Sequence, residues 1–90
     1  MNIHEQKANI WMSENPEAYE LFEKFALQMC WNNQRFGAKM VAERVRWETK
    51  LMGKDKDGFK WNNNYTAYVA RKFMNNHPAF NHLINVRRTK

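Results

Sequence analysis

The stretch NPEAYELFEKFALQMCW, Asn15 to Trp31, decides the fold class. Asn is a favoured N-cap, Pro16 fits the first helical position, and Glu17 suits the positive end of the helix dipole. Ala18, Leu21, Phe22, Phe25, Ala26 and Met29 then recur at helical spacing and define one apolar stripe. Glu20 and Lys24 stand four apart on the wet side, in the favourable order. The pattern predicts a helix over 16–31, ended by Asn32-Asn33-Gln34.

Downstream, Arg35-Phe36-Gly37 reads as a brief connection, and a second helix is expected over 38–52. Ala38, Val41, Ala42, Val45 and Met52 form one stripe; Met40, Trp47 and Leu51 form another. Two apolar stripes predict a central helix packed on both sides, with Trp47 buried. Lys39, Arg46 and Lys50 occupy its remaining surface, Glu43 is expected to pair with Arg46 or Lys39, and Gly53 suits a C-cap. Lys54-Asp55-Lys56-Asp57-Gly58 is a loop, and Phe59-Lys60-Trp61 suits a short extended segment.

A third helix is expected at 64–76, with Thr66, Val69, Ala70 and Phe73 as its core stripe. His77-Pro78 stops it, because proline disfavours helix in the residue before it. The tail, with Phe80, Leu83, Ile84 and Val86 ahead of Arg87 and Arg88, suits a short helix or a strand. Residues 1–14 show weak periodicity, with Ile3, Ile10 and Trp11 marking a short helix or a docked arm. The expected architecture is a mainly α, single domain of three to four helices over 1–90. It is compatible with a helix-turn-helix or winged-helix-like arrangement carrying a minor β element.

Composition narrows the function classes. The chain has 90 residues and a net charge of +6. Residues 1–31 hold two basic and five acidic side chains, 2 − 5 = −3; residues 32–90 hold thirteen and four, 13 − 4 = +9. Such concentration of positive charge points to a polyanionic partner. One cysteine, Cys30, leaves no intramolecular disulfide, and His4, His77 and His82 match no zinc-ligand spacing. No glycine-rich phosphate loop, nucleophile elbow or His-plus-carboxylate motif is present, so neither a catalytic site nor a cofactor is expected. No apolar run reaches the length of a signal peptide or membrane span, and a bacterial or phage-infected cytoplasm is the expected setting.

The candidate nucleic-acid face lies on the third helix. Asn64, Tyr68, Arg71, Lys72 and Asn75 share one broad side, offering amides and a guanidinium for base edges and a phenol and an ammonium for phosphates. The same residues equally suit a solvated helix face. Lys60 between two aromatic rings, and Arg87 and Arg88 acting as an arm, are the further candidates. A protein docking on this basic surface is the alternative.

Glu43-Arg44-Val45-Arg46-Trp47-Glu48-Thr49, Phe59-Lys60-Trp61-Asn62-Asn63-Asn64-Tyr65, Tyr68-Val69-Ala70-Arg71 and His77-Pro78, with the Asn15-Pro16-Glu17 opening, carry a resemblance. The chain resembles a group of small bacterial and phage-encoded proteins without an agreed activity. The resemblance implies a mobile-element setting, in which small basic proteins commonly serve as transcription regulators or as inhibitors of host defence enzymes.

Overall fold

In the computed structural model, residues 3–51 and 63–85 are described. The described chain is mostly helical: α1 (Ile3–Glu14), α2 (Pro16–Trp31), α3 (Ala38–Leu51) and α4 (Thr66–Asn76). A 3₁₀ turn at Asn63–Tyr65 leads into α4, and a second follows it at Pro78–Phe80. Two two-residue strands, β1 (Phe36–Gly37) and β2 (Ile84–Asn85), pair in parallel, with Phe36 opposite Ile84. The expected loop at 54–58, the extended segment at 59–61 and the Gly53 cap lie outside the described residues, as do Met52 and Val86.

The stripe of α2 behaves as its spacing dictates. Ala18, Phe22, Phe25 and Ala26 are buried, joined by Tyr19 and Cys30. Phe22 meets Phe73 of α4 edge-on, with ring centroids 6.2 Å apart. Phe22, Phe73, Val45 and Val69 are the largest fully enclosed side chains, so the centre of the core is where α2, α3 and α4 meet. Asn33 closes α2 with φ 53°, a left-handed backbone that asparagine tolerates better than most residues. The amide of Asn33 donates to the Cys30 carbonyl, and that of Gln34 to the Met29 carbonyl, satisfying acceptors the helix end leaves over.

Asn15 plays a different part from the N-cap expected of it. Its side chain makes no capping hydrogen bond to α2; instead Nδ2 donates to the Trp11 carbonyl at 3.0 Å and so closes α1. The arm ahead of it is a docked helix. Ala8 and Met12 are buried, and the Trp11 ring lies 5.3 Å from that of Tyr65. Ile3 and Ile10 stay exposed. The periodicity looked weak because the docking stripe is alanine, tryptophan and methionine, with the isoleucines on the other side.

The second stripe of α3 is corrected. Ala38, Val41, Ala42 and Val45 are buried, whereas Met40 is 50% and Trp47 63% exposed. At about 100° per residue, Met40 and Trp47 point roughly 160° away from the centre of the stripe that Ala38, Val41, Ala42 and Val45 form. The helix is therefore packed on one side and is not the central one. Helices α2 and α4 each touch all three others.

The tail forms the minor β element with the connection that precedes α3. The Phe36 amide donates to the Leu83 carbonyl at 2.9 Å, and Phe36, Leu83 and Ile84 are buried under the helices. A parallel pair of this kind needs a long crossover, supplied here through α3 and α4.

Candidate functional site

Helix α4 is anchored by Ala67, Val69, Ala70 and Phe73, all buried. This anchoring turns the opposite side outward. Asn64, Arg71 and Asn75 are exposed and Tyr68 is half-buried, at spacings of four, three and four residues. That succession keeps the four on one narrow stripe along the helix and its leading turn. The Arg71 guanidinium lies 5.2 Å from the centre of the Tyr68 ring, close enough for a cation–π contact that fixes its direction.

Lys72 belongs to a different neighbourhood. Its Nζ stands 4.5 Å from the centre of the Tyr19 ring, over α2. There a polar cluster joins the C-terminal end of α4 to α2. The Tyr19 hydroxyl donates to Glu23 Oε2 at 2.9 Å and accepts from Asn76 Nδ2 at 2.8 Å. His77 Nε2 lies 3.0 Å from the same Glu23 oxygen. The His77 ring is held between Phe73, 4.8 Å away, and Phe80, 6.4 Å away.

The electrostatics follow from these contacts. The hydrogen bond from His77 is the main cause holding the Glu23 carboxyl below its ordinary value; Tyr19 and the nearby Lys72 charge act in the same direction. Burial pushes the Tyr19 phenol up to about 12. Burial also raises the Cys30 thiol, leaving it in its unreactive protonated form. Among the described residues, no three His, Cys, Asp or Glu side chains are grouped to hold a metal ion. No described helix is long and apolar enough to cross a membrane.

The structure thus brings together Asn64, Tyr68, Arg71 and Asn75 and turns Lys72 toward α2. Lys60, Arg87 and Arg88 lie outside the described residues. The Tyr19–Glu23–Asn76–His77 cluster escaped the sequence reading because its halves are more than fifty residues apart, 54 for Glu23 and His77. The signal available was Tyr19 beside a firm apolar stripe with Glu23 four residues on, the spacing of one helical turn. Chemically the cluster is a tether: its hydrogen bonds fasten the end of α4, and so fix the pose of the Tyr68–Arg71 stripe.

No family model matches the chain, and no curated protein and no solved structure was found to be similar to it.

Proposed function

We propose that this chain is a non-enzymatic DNA-binding accessory or regulatory protein that presents α4 to duplex DNA. The observation that carries the reading is the outward stripe Asn64, Tyr68, Arg71 and Asn75 on a helix anchored by Val69, Ala70 and Phe73. Its amides and guanidinium have the donor patterns that read adenine and guanine edges, and the phenol suits a phosphate oxygen. Helix α3 packs against α4, as the first helix of a helix-turn-helix pair packs against its recognition helix. The basic balance of residues 32–90 supplies the long-range attraction. Lys72 serves the edge of this surface, while Lys60, Arg87 and Arg88 are the expected additional phosphate contacts.

Binding of random duplex DNA, measured by fluorescence anisotropy across a salt series, tests this. Affinity should fall steeply, with log K losing about 0.9 per phosphate contact for each decade of salt. Arg71→Ala should weaken binding and, if Arg71 grips a phosphate, reduce that slope by about one. Asn64→Ala or Asn75→Ala should relax preference at one base pair by about 1–3 kcal/mol. Wild-type protein that ignores duplex DNA even at low salt ends the reading.

The second reading is a small inhibitor of phage type that docks the same surface on a host protein. The Tyr68–Arg71 pair favours it, because tyrosine and arginine are enriched at protein hot spots. That reading expects tight binding to one acidic or nucleic-acid-handling protein, abolished by Arg71→Ala, and no appreciable DNA affinity at physiological salt.

A further inference from the structure

From Gly58 to Lys90 the chain holds no aspartate or glutamate, and its formal charges are all positive. Helix α4 and its leading turn, residues 63–76, fall inside this stretch. An exposed arginine there has no carboxylate on its own helix at the three- and four-residue spacings where helical ion pairs form.

Three exposed cations show the consequence. On α3, Arg46 reaches Glu43 at 3.5 Å. On α4, Lys72 stands over the Tyr19 ring, and its charge acts on Glu23. Arg71, next to it in the chain, is held through Tyr68, with Cζ 5.2 Å over the centre of the ring. Among the described residues it makes no hydrogen bond or ion pair.

The Tyr68 contact is made at Cζ, the centre of the guanidinium, and uses none of its N–H donors. Those five donors form a rigid fork that matches two acceptors side by side. In the major groove guanine presents such a pair, N7 and O6. A mobile cation serves a phosphate well enough, whereas a base edge needs the fork at a fixed angle. Tyr68 supplies that restraint, because it is itself half-buried on a helix anchored by Val69 and Ala70. Less side-chain freedom is then lost on binding.

We infer that Arg71 is the specificity-determining residue of the α4 surface, reading a guanine in the major groove, and that Tyr68 is its positioning residue. The assignment rests on the duplex-DNA reading above and names what that surface selects.

Selection by the full chain from duplexes with a randomised core, followed by anisotropy on the selected duplex across a salt series, tests it. The wild-type chain should enrich a guanine at one fixed position. Arg71→Lys keeps the charge and removes the fork. It should lose about tenfold of the discrimination at that guanine while the salt slope stays as it was. Arg71→Ala should lose the same discrimination, again with the slope nearly unchanged. Tyr68→Leu should lower the discrimination about two- to fivefold, the worth of an exposed cation–π contact; Tyr68→Phe, which keeps the ring, should retain it. Circular dichroism checks that each variant is folded, and Arg71→Lys, at an exposed position, carries the test where Tyr68→Leu is not. An Arg71→Lys chain that still selects the guanine overturns the assignment. So does an Arg71→Ala chain whose slope falls by about 0.9 with its base preference intact, the mark of a phosphate contact. A folded Tyr68→Leu chain as selective as wild type removes Tyr68 from the positioning role. Wild-type protein that binds duplex DNA without base preference overturns the Arg71 assignment and leaves the DNA reading standing; protein that ignores duplex DNA even at low salt ends both.

Discussion

Phe73 and Trp47 are bulky aromatic residues of neighbouring helices, and they end in opposite environments. Phe73 is fully buried between α2 and α4 and touches both Phe22 and His77. Trp47 is 63% exposed. Residue type does not separate them; angular position does. Phe73 extends the stripe of Val69 and Ala70, at i+4 and i+3, whereas Trp47 stands on the far side of α3 from Val41 and Val45. Where a helix carries two apolar stripes, the one rich in small and β-branched residues faces the core here. Met40 and Trp47 are left facing outward.

The sharpest way to break this contrast is to truncate both rings. Phe73→Ala should cost about 3–5 kcal/mol, most of the stability available to a chain of this size, and abolish a cooperative melt near ambient temperature. If that variant melts like the wild type, the α2–α4 centre is misplaced.

Next in size is the alkaline limb of the tether. The Tyr19 phenol is raised from an ordinary 10.0 to about 12. Its folded form therefore holds a proton that the unfolded chain releases at lower pH. The associated stability is complete below pH 10 and is lost as pH rises toward 12, on the order of 2 kcal/mol. Tyr19→Phe should flatten that limb in a series of denaturant melts; an unchanged limb would place the phenol in water.

The acid limb runs the other way and is smaller. Glu23 is lowered from 4.5, so its contribution is present above that value and disappears as pH falls through the depressed folded value. Glu23→Gln should cost about 1 kcal/mol at neutral pH, discounted for its partial exposure, and should make stability less steep in acid. His77→Ala should produce a similar loss at neutral pH and, because Glu23 then lacks its main partner, a similar flattening.

The smallest expected effect completes the comparison. Trp47→Ala should leave the unfolding free energy within about 0.5 kcal/mol of wild type, as exposed substitutions usually do. A loss as large as that for Phe73→Ala would return Trp47 to the core.

Local periodicity and chain chemistry were enough to place three of the four described helices. Asn15-Pro16 opens α2 and His77-Pro78 closes α4 at the expected positions, because proline imposes its backbone constraint whatever surrounds it. The buried stripes of α2 and α4 were equally legible, since helical spacing converts directly into a shared face. Arg46 does pair with Glu43, at 3.5 Å, a contact set by spacing within a single helix. The stripe Asn64, Tyr68, Arg71 and Asn75 was legible on the same ground. Only the tertiary structure decided which side of α3 meets the core, that α1 docks through Ala8, Trp11 and Met12, and that Phe36 pairs with Ile84. Only it turned Lys72 toward Tyr19 and brought Glu23 to His77. Helical spacing orders side chains around one axis, but choosing between two apolar sides, or joining residues more than fifty positions apart, depends on how separate helices pack together.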